Sequence, residues 1–155
     1  MGKLWRDADG NEIEDNHLYT IIKEYVQQGG KLFVGADSMQ YSNNCSFACV
    51  IALHSFEQDI SKYFYKRYTD KSGLYKDLKL KIMNEVSFAL ETATQLVDAM
   101  PEAKIEIHVD IGSSTKSKTR TMIDAVKGWV LGSGFDCKIK PKSWASSSIA
   151  DWHTK

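Results

Sequence analysis

The chain has 155 residues, a length that suits one domain with a core needing no disulfides. Apolar residues make up 43% and charged residues 26%, ordinary for a globular protein. No apolar run approaches a membrane span, and the first residues carry no signal-peptide core, so a cytoplasmic protein without membrane association is expected. Twenty basic and 20 acidic side chains cancel, which excludes coating nucleic acid through bulk charge but leaves room for a local basic patch.

Residues 1–13 are polar and read as loose or locally turned. Asp15 or Asn16 can cap an extra N-terminal helix within 14–29, with Leu18, Ile21, Ile22, Tyr25 and Val26 on its apolar side and Gly29-Gly30 ending it. A first strand, 31–37, is nearly all apolar until Asp37, as a strand covered on both faces should be. Asn43-Asn44 signals a turn. Strands at 46–54 and 60–68 then complete an antiparallel meander. Cys45 and Cys49 share a strand face but stand about 13 Å apart, too far for one disulfide or one metal ion. With Cys137 they read as free thiols of a reducing compartment.

A long helix over about 74–100 follows, its apolar positions Ile82, Val86, Ala89, Ala93, Leu96, Val97 and Met100 spaced by three and four, with Pro101 ending it. Then come a strand at 104–111, a polar loop, a helix over about 118–131 and a short strand at 135–140. A last helix carries 149–153, capped by Ser146 or Ser147. Apart from the first helix the order is β-β-β-α-β-α-β-α. The expected fold is a single α/β domain over 1–155, its five-stranded mixed sheet having three antiparallel strands, then two reached through helices, with helices flanking it.

Four acids stand out against this order. Hydrolysis of a phosphodiester needs a nucleophilic water, charge neutralisation at phosphorus and help for the leaving oxygen, which two divalent cations can supply. Such hard cations want several carboxylates at one point. Asp37 and Asp110 each close an apolar strand, where a carboxylate is costly unless it reaches solvent or a cation. In an open α/β sheet, ligands bind beyond such strand ends. At about 100° per residue, Glu85 falls at the margin of the long helix's buried stripe, whereas Asp77, Glu91 and Asp98 fall off it. Asp151, on the final helix, arrives from the chain end as the fourth.

Several segments carry a resemblance. Asp110-Ile111-Gly112, Lys118-Thr119-Arg120, Lys138-Ile139-Lys140-Pro141 and Ala145-Ser146-Ser147-Ser148-Ile149-Ala150-Asp151 with Thr154-Lys155 resemble the YkuK-type ribonuclease H-like family of predicted nucleases. Gly35-Ala36-Asp37-Ser38-Met39-Gln40 resembles the family's Gly-Thr-Asp-Ser-Gln element, with Ala for Thr and Met39 before the Gln. The resemblance runs from about Leu18 to the last residue and is strongest over 108–155. It implies the ribonuclease H-like fold and a metal-dependent nuclease site at Asp37, Asp110 and Asp151; Glu85 rests on helix geometry.

The expected activity is phosphodiester hydrolysis in RNA, DNA or a hybrid with Mg²⁺ or Mn²⁺ on Asp37, Glu85, Asp110 and Asp151. The alternative is a nucleic-acid or protein binding module on an inactive fold of this type. Lys116, Lys118 and Arg120 lead into a helix N-terminus, where free N–H groups suit a phosphate. Ser38, beside Asp37, and Ser146 complete the candidate substrate contacts. His108, two before Asp110 on the same strand face, and His153, two after Asp151, are candidate auxiliary groups. A buried, satisfied histidine is the plainer role for His108. Trp144 and Trp152 bracket the last helix and suit either core packing or base stacking, and Lys138, Lys140 and Lys142 suit a solvated edge.

Overall fold

The computed structural model describes residues 4–55, 58–112 and 118–155. Its elements are β1 (Trp5–Asp7), β2 (Glu12–Ile13), α1 (Asp15–Gln27), β3 (Lys31–Tyr41), β4 (Asn44–Ser55), β5 (Gln58–Asp70), α2 (Leu78–Ala99), β6 (Ile105–Val109), α3 (Ile123–Gly132) and β7 (Asp136–Lys138). A π-type helical segment, Ala145–Ala150, runs into a last turn, α4 (Asp151–His153). None of the described helices is long and apolar enough to cross a membrane.

The strands form one mixed sheet in the order β2-β1-β5-β4-β3-β6-β7. β3, β4 and β5 are antiparallel neighbours, and β6 and β7 join in parallel. The expected meander and two crossovers are therefore present, but the sheet has seven strands rather than five. The additional pair comes from residues expected to be loose. β1 and β2 form a hairpin whose first strand extends the sheet from β5. Trp5 and Ile13 anchor it by burial, and the Asp7 carboxylate closes its turn by accepting from the Asp9 and Asn11 N–H groups. Gly10, at φ 88°, supplies the left-handed residue.

Helices cover both faces. Leu32, Val34 and Ala36 of β3 face a large core shared with α1, α2 and α3. Phe33, Ala48, Val50, Ala52 and Tyr65 face a smaller core closed by Ala145 and Ala150 of the C-terminal segment. Alternation along β3 thus sends odd positions toward the C-terminal segment and even positions toward α2.

Two boundaries differ in ways that bear on the site. β3 does not stop at Asp37: residues 38–41 pair with 44–47 of β4, so the strand continues past the last pairing with β6, Ala36 with Val109. The long helix starts later than its apolar spacing suggests. Leu74–Lys76 form a separate 3₁₀ turn, and Asp77 caps α2 by accepting from the Leu80 N–H at 3.0 Å. Cys45 and Cys49 are buried free thiols and Cys137 is a half-buried one.

Candidate metal centre

Asp37 and Asp110 lie side by side because their strands are parallel neighbours. Ala36 pairs with Val109, so both chains leave the paired region at the same level, and both next residues fall on the face of the C-terminal segment. Glu85 comes from α2 on the opposite face and is 2% exposed. Its Oε2 accepts the Ser38 hydroxyl and lies 3.6 Å from Lys81 Nζ. Asp151 sits at the first position of α4, with its Oδ2 3.6 Å from Lys155 Nζ.

These four carboxyls act on one another. Burial raises the Asp37 pKa to about 9, aided by the charges of Glu85 and Asp110 and by a hydrogen bond with Asp151, against the Ser38 backbone N–H. Glu85 is pushed up to about 8, again by burial first, with Asp110 adding and Lys81 and Ser38 opposing. Glu85 Oε1 is buried without a hydrogen-bond partner among the described residues. A buried carboxylate oxygen left in this way costs free energy until a proton or cation meets it. Asp110 Oδ1 meets Lys140 Nζ at 2.9 Å and accepts the Ser147 hydroxyl at 3.1 Å. As they stand, no group of three or more His, Cys, Asp or Glu side chains among the described residues could hold a metal ion. Each acid is drawn instead toward its own serine, lysine or carboxyl partner.

A close backbone approach brings the fourth acid in. A Cβ at Gly35 would lie 2.6 Å from the Ser146 nitrogen and 2.7 Å from the Ala145 carbonyl carbon, so only glycine lets the C-terminal segment lie on β3. Ser146 donates to the Ala36 carbonyl at 2.6 Å, and the Ala145 N–H donates to His108 Nδ1 at 3.0 Å. The other His108 nitrogen, Nε2, then carries the proton and meets Glu106 Oε2 at 2.6 Å, while Glu106 Oε1 pairs with Lys31 at 3.2 Å. Burial holds the His108 pKa below its ordinary value, with Glu106 opposing.

A family model described as Ribonuclease H-like matches residues 15–155. The chain belongs to this family. It is similar to the uncharacterized protein YkuK of Bacillus subtilis (strain 168), 26% identical over 153 residues, covering 86% of this chain and 87% of the relative. The YkuK-type resemblance is thereby shown, with a mixed α/β sheet to match.

In this ribonuclease H-like chain Glu85, Asp110 and Asp151 each act on Asp37, without three of the four closing into a metal-holding group among the described residues, and the neighbouring predictions divide. Ser38 is turned to Glu85 and positions it. Ser146 is fully buried on Ala36, so it is a clamp and not a substrate contact, because the segment packs on β3 instead of standing at the surface. Ser147 takes the place beside Asp110. Lys118 and Arg120 are exposed ahead of α3. Lys116 lies outside the described residues. His108 has the structural role, latching the C-terminal segment. His153 is engaged by Tyr63, at 3.0 Å to its hydroxyl, and stacks on Tyr65.

Sequence reasoning missed Lys81 and Lys140. Lys81 is four before Glu85, a spacing that pairs charges on one helix face. The spacing of Lys138, Lys140 and Lys142 suits a solvated edge, yet the Lys140 pKa is raised, chiefly by the Asp110 hydrogen bond.

Proposed function

We propose that this chain hydrolyses phosphodiester bonds in nucleic acid, with Asp37, Glu85, Asp110 and Asp151 holding Mg²⁺ or Mn²⁺. The observation that carries this reading is the field on Asp37: three other acids from separate elements act on one buried carboxyl. The donor set fits a hard divalent ion, being all carboxylate oxygen and including the orphaned Glu85 Oε1. Such ions, when bound, would offset charge at phosphorus and lower the pKa of an attacking water.

The chain's own residues have positioning work to do. Ser38 and Lys81 fix Glu85, Ser147 and Lys140 fix Asp110, and the clamped segment presents Asp151. Lys140, with its side chain 51% exposed, is also placed to meet a phosphate oxygen near Asp110. The test is incubation of labelled single-stranded, duplex, hybrid and branched substrates with Mg²⁺ or Mn²⁺. Cleavage should vanish in Asp37→Asn and Asp110→Asn, and cleavage surviving both substitutions would refute the assignment.

The second reading, an inactive binding module, is favoured by one feature: Lys81 and Lys140 already offset charge on Glu85 and Asp110. Millimolar Mn²⁺ separates the two. A working centre gains thermal stability on binding, and a module relying on its lysines does not.

A further inference from the structure

Trp144 and Trp152 have opposite fates. Trp144 packs among Phe33, His54 and His108. Trp152, next to the fourth acid, is 70% exposed. It lines a groove of about 280 Å³ with Arg67, His153 and Lys155. Among the described residues no Asp or Glu side chain lines this groove, though Lys155 pairs with Asp151 at its edge. Arg67 Nη1 donates to the His153 carbonyl at 3.3 Å, which ties the β5 side of the groove to the α4 side. Arg67 also lines a second hollow of about 890 Å³ along β5, together with Arg6 and Lys71. Among the described residues lining it the one acid, Glu12, is paired with Arg6 at 3.2 Å.

A bare indole beside two cations suits a ligand with an exposed aromatic face and a negative backbone. Duplex bases are stacked on both faces and offer none, whereas an unpaired base does. The chain's zero net charge gives no general attraction for nucleic acid, so whatever grip exists must be local. Lys155 lies 3.6 Å from Asp151, which sets the groove directly beside the acids.

We propose that the groove of Trp152, Arg67 and Lys155 takes single-stranded nucleic acid, with Trp152 stacking on a base and the two cations holding the adjoining phosphates. This rests on the nuclease reading for the destination of the strand and goes beyond it in naming the substrate form. The strand continues over Arg67 toward Lys71 and Arg6.

The experiment measures anisotropy of a fluorescein-labelled oligothymidine, and of the same strand annealed to oligoadenosine, with the full-length Asp37→Asn protein in magnesium. The single strand should bind more tightly than the duplex. Adding Trp152→Ala should weaken single-strand binding about tenfold, Trp152→Phe should restore most of it, and Arg67→Ala should flatten the salt dependence by nearly one phosphate's worth. Because Trp152 is largely exposed, its loss should leave the melting temperature unchanged. Equal affinity for both probes, or full affinity in Trp152→Ala, overturns the proposal even if the wild type cleaves with Mn²⁺. Trp152-dependent binding by a protein that never cleaves upholds it and sinks the nuclease reading instead.

Discussion

In metal-free buffer this protein should become less stable as the pH rises from 7 to 8, and Asp37→Asn should remove much of that loss. The Asp37 pKa is raised to about 9 and that of Glu85 to about 8, both chiefly by burial. In the unfolded chain both groups ionise in the ordinary carboxylate range near pH 4. Between these limits the folded state keeps protons that the unfolded state has released, so raising the pH favours unfolding. Each carboxyl still protonated contributes a slope of about 1.4 kcal/mol per pH unit, a fall of about 3 to 6 °C for a chain of this size. The interval is chosen with the other groups in mind. His108 and His153 have lowered pKa values, each through burial first. Their effect has the opposite sign, is half spent at the ordinary histidine pKa of about 6.5, and has largely run out by about pH 7.5, so it only slightly offsets the carboxyl slope at the start of the interval. The Cys49 thiol, pushed up to about 12 by burial, begins to matter as the pH enters the thiol's ordinary range of about 8.5, where it acts in the same direction as the carboxyls. The assay is a thermal melt followed by circular dichroism in EDTA at pH 7 and 8, repeated with millimolar Mn²⁺. The Mn²⁺ gain should be larger at pH 8, because binding displaces protons. A melting temperature that is flat or rising over this interval in EDTA would refute the picture of desolvated, mutually repelling acids.

Gly35→Ala places a methyl against the Ser146 and Ala145 backbone and should cost about 2 kcal/mol in urea denaturation. It should also weaken the Mn²⁺ stabilisation by moving Asp151, and an unchanged denaturation midpoint would show that the segment gives way freely. His108→Ala leaves the Ala145 N–H and Glu106 without their partner and should cost about 3 kcal/mol, again by urea midpoint. A loss below about 0.5 kcal/mol, within the range of ordinary surface substitutions, would deny the latch. Asp77→Ala removes the α2 cap and should cost about 1 kcal/mol with no change in Mn²⁺ response, since Glu85 lies two turns further along.

What could be read from the residues was what periodicity and strand chemistry determine. Asp37 and Asp110 were recognisable because a carboxylate in an apolar strand demands a reason, and Glu85 because its helix angle set it apart from Asp77, Glu91 and Asp98. The continuation of β3 to Tyr41 was hidden because Ser38, Met39 and Gln40 do not alternate strongly, and it is pairing with β4 that extends the strand. The N-terminal hairpin was hidden because Trp5 and Ile13 are isolated apolar anchors on either side of a polar turn. Lys140 and Ser147 could not be assigned locally: what places them is the docking of their segments against Asp110. Ser146 looked available for the same reason, since nothing in a run of serines shows which hydroxyl a distant strand will bury.

The four acids do not share the same mechanical support. Asp37 and Asp110 follow paired strands in the middle of the sheet, and Glu85 sits well inside the long helix α2. Asp151 depends on a segment of one π-type stretch and one α turn. Its ties to the sheet are the Gly35 approach, the Ser146 bond to Ala36 and the His108 latch. That segment ends in Trp152, His153 and Lys155, which line the basic groove. Metal held at Asp151 and a strand stacked on Trp152 would therefore load the same short element. If each prefers the same docked position, linkage requires each to tighten the other. The least supported acid is in this way also the one through which occupancy of the groove would reach the proposed metal centre.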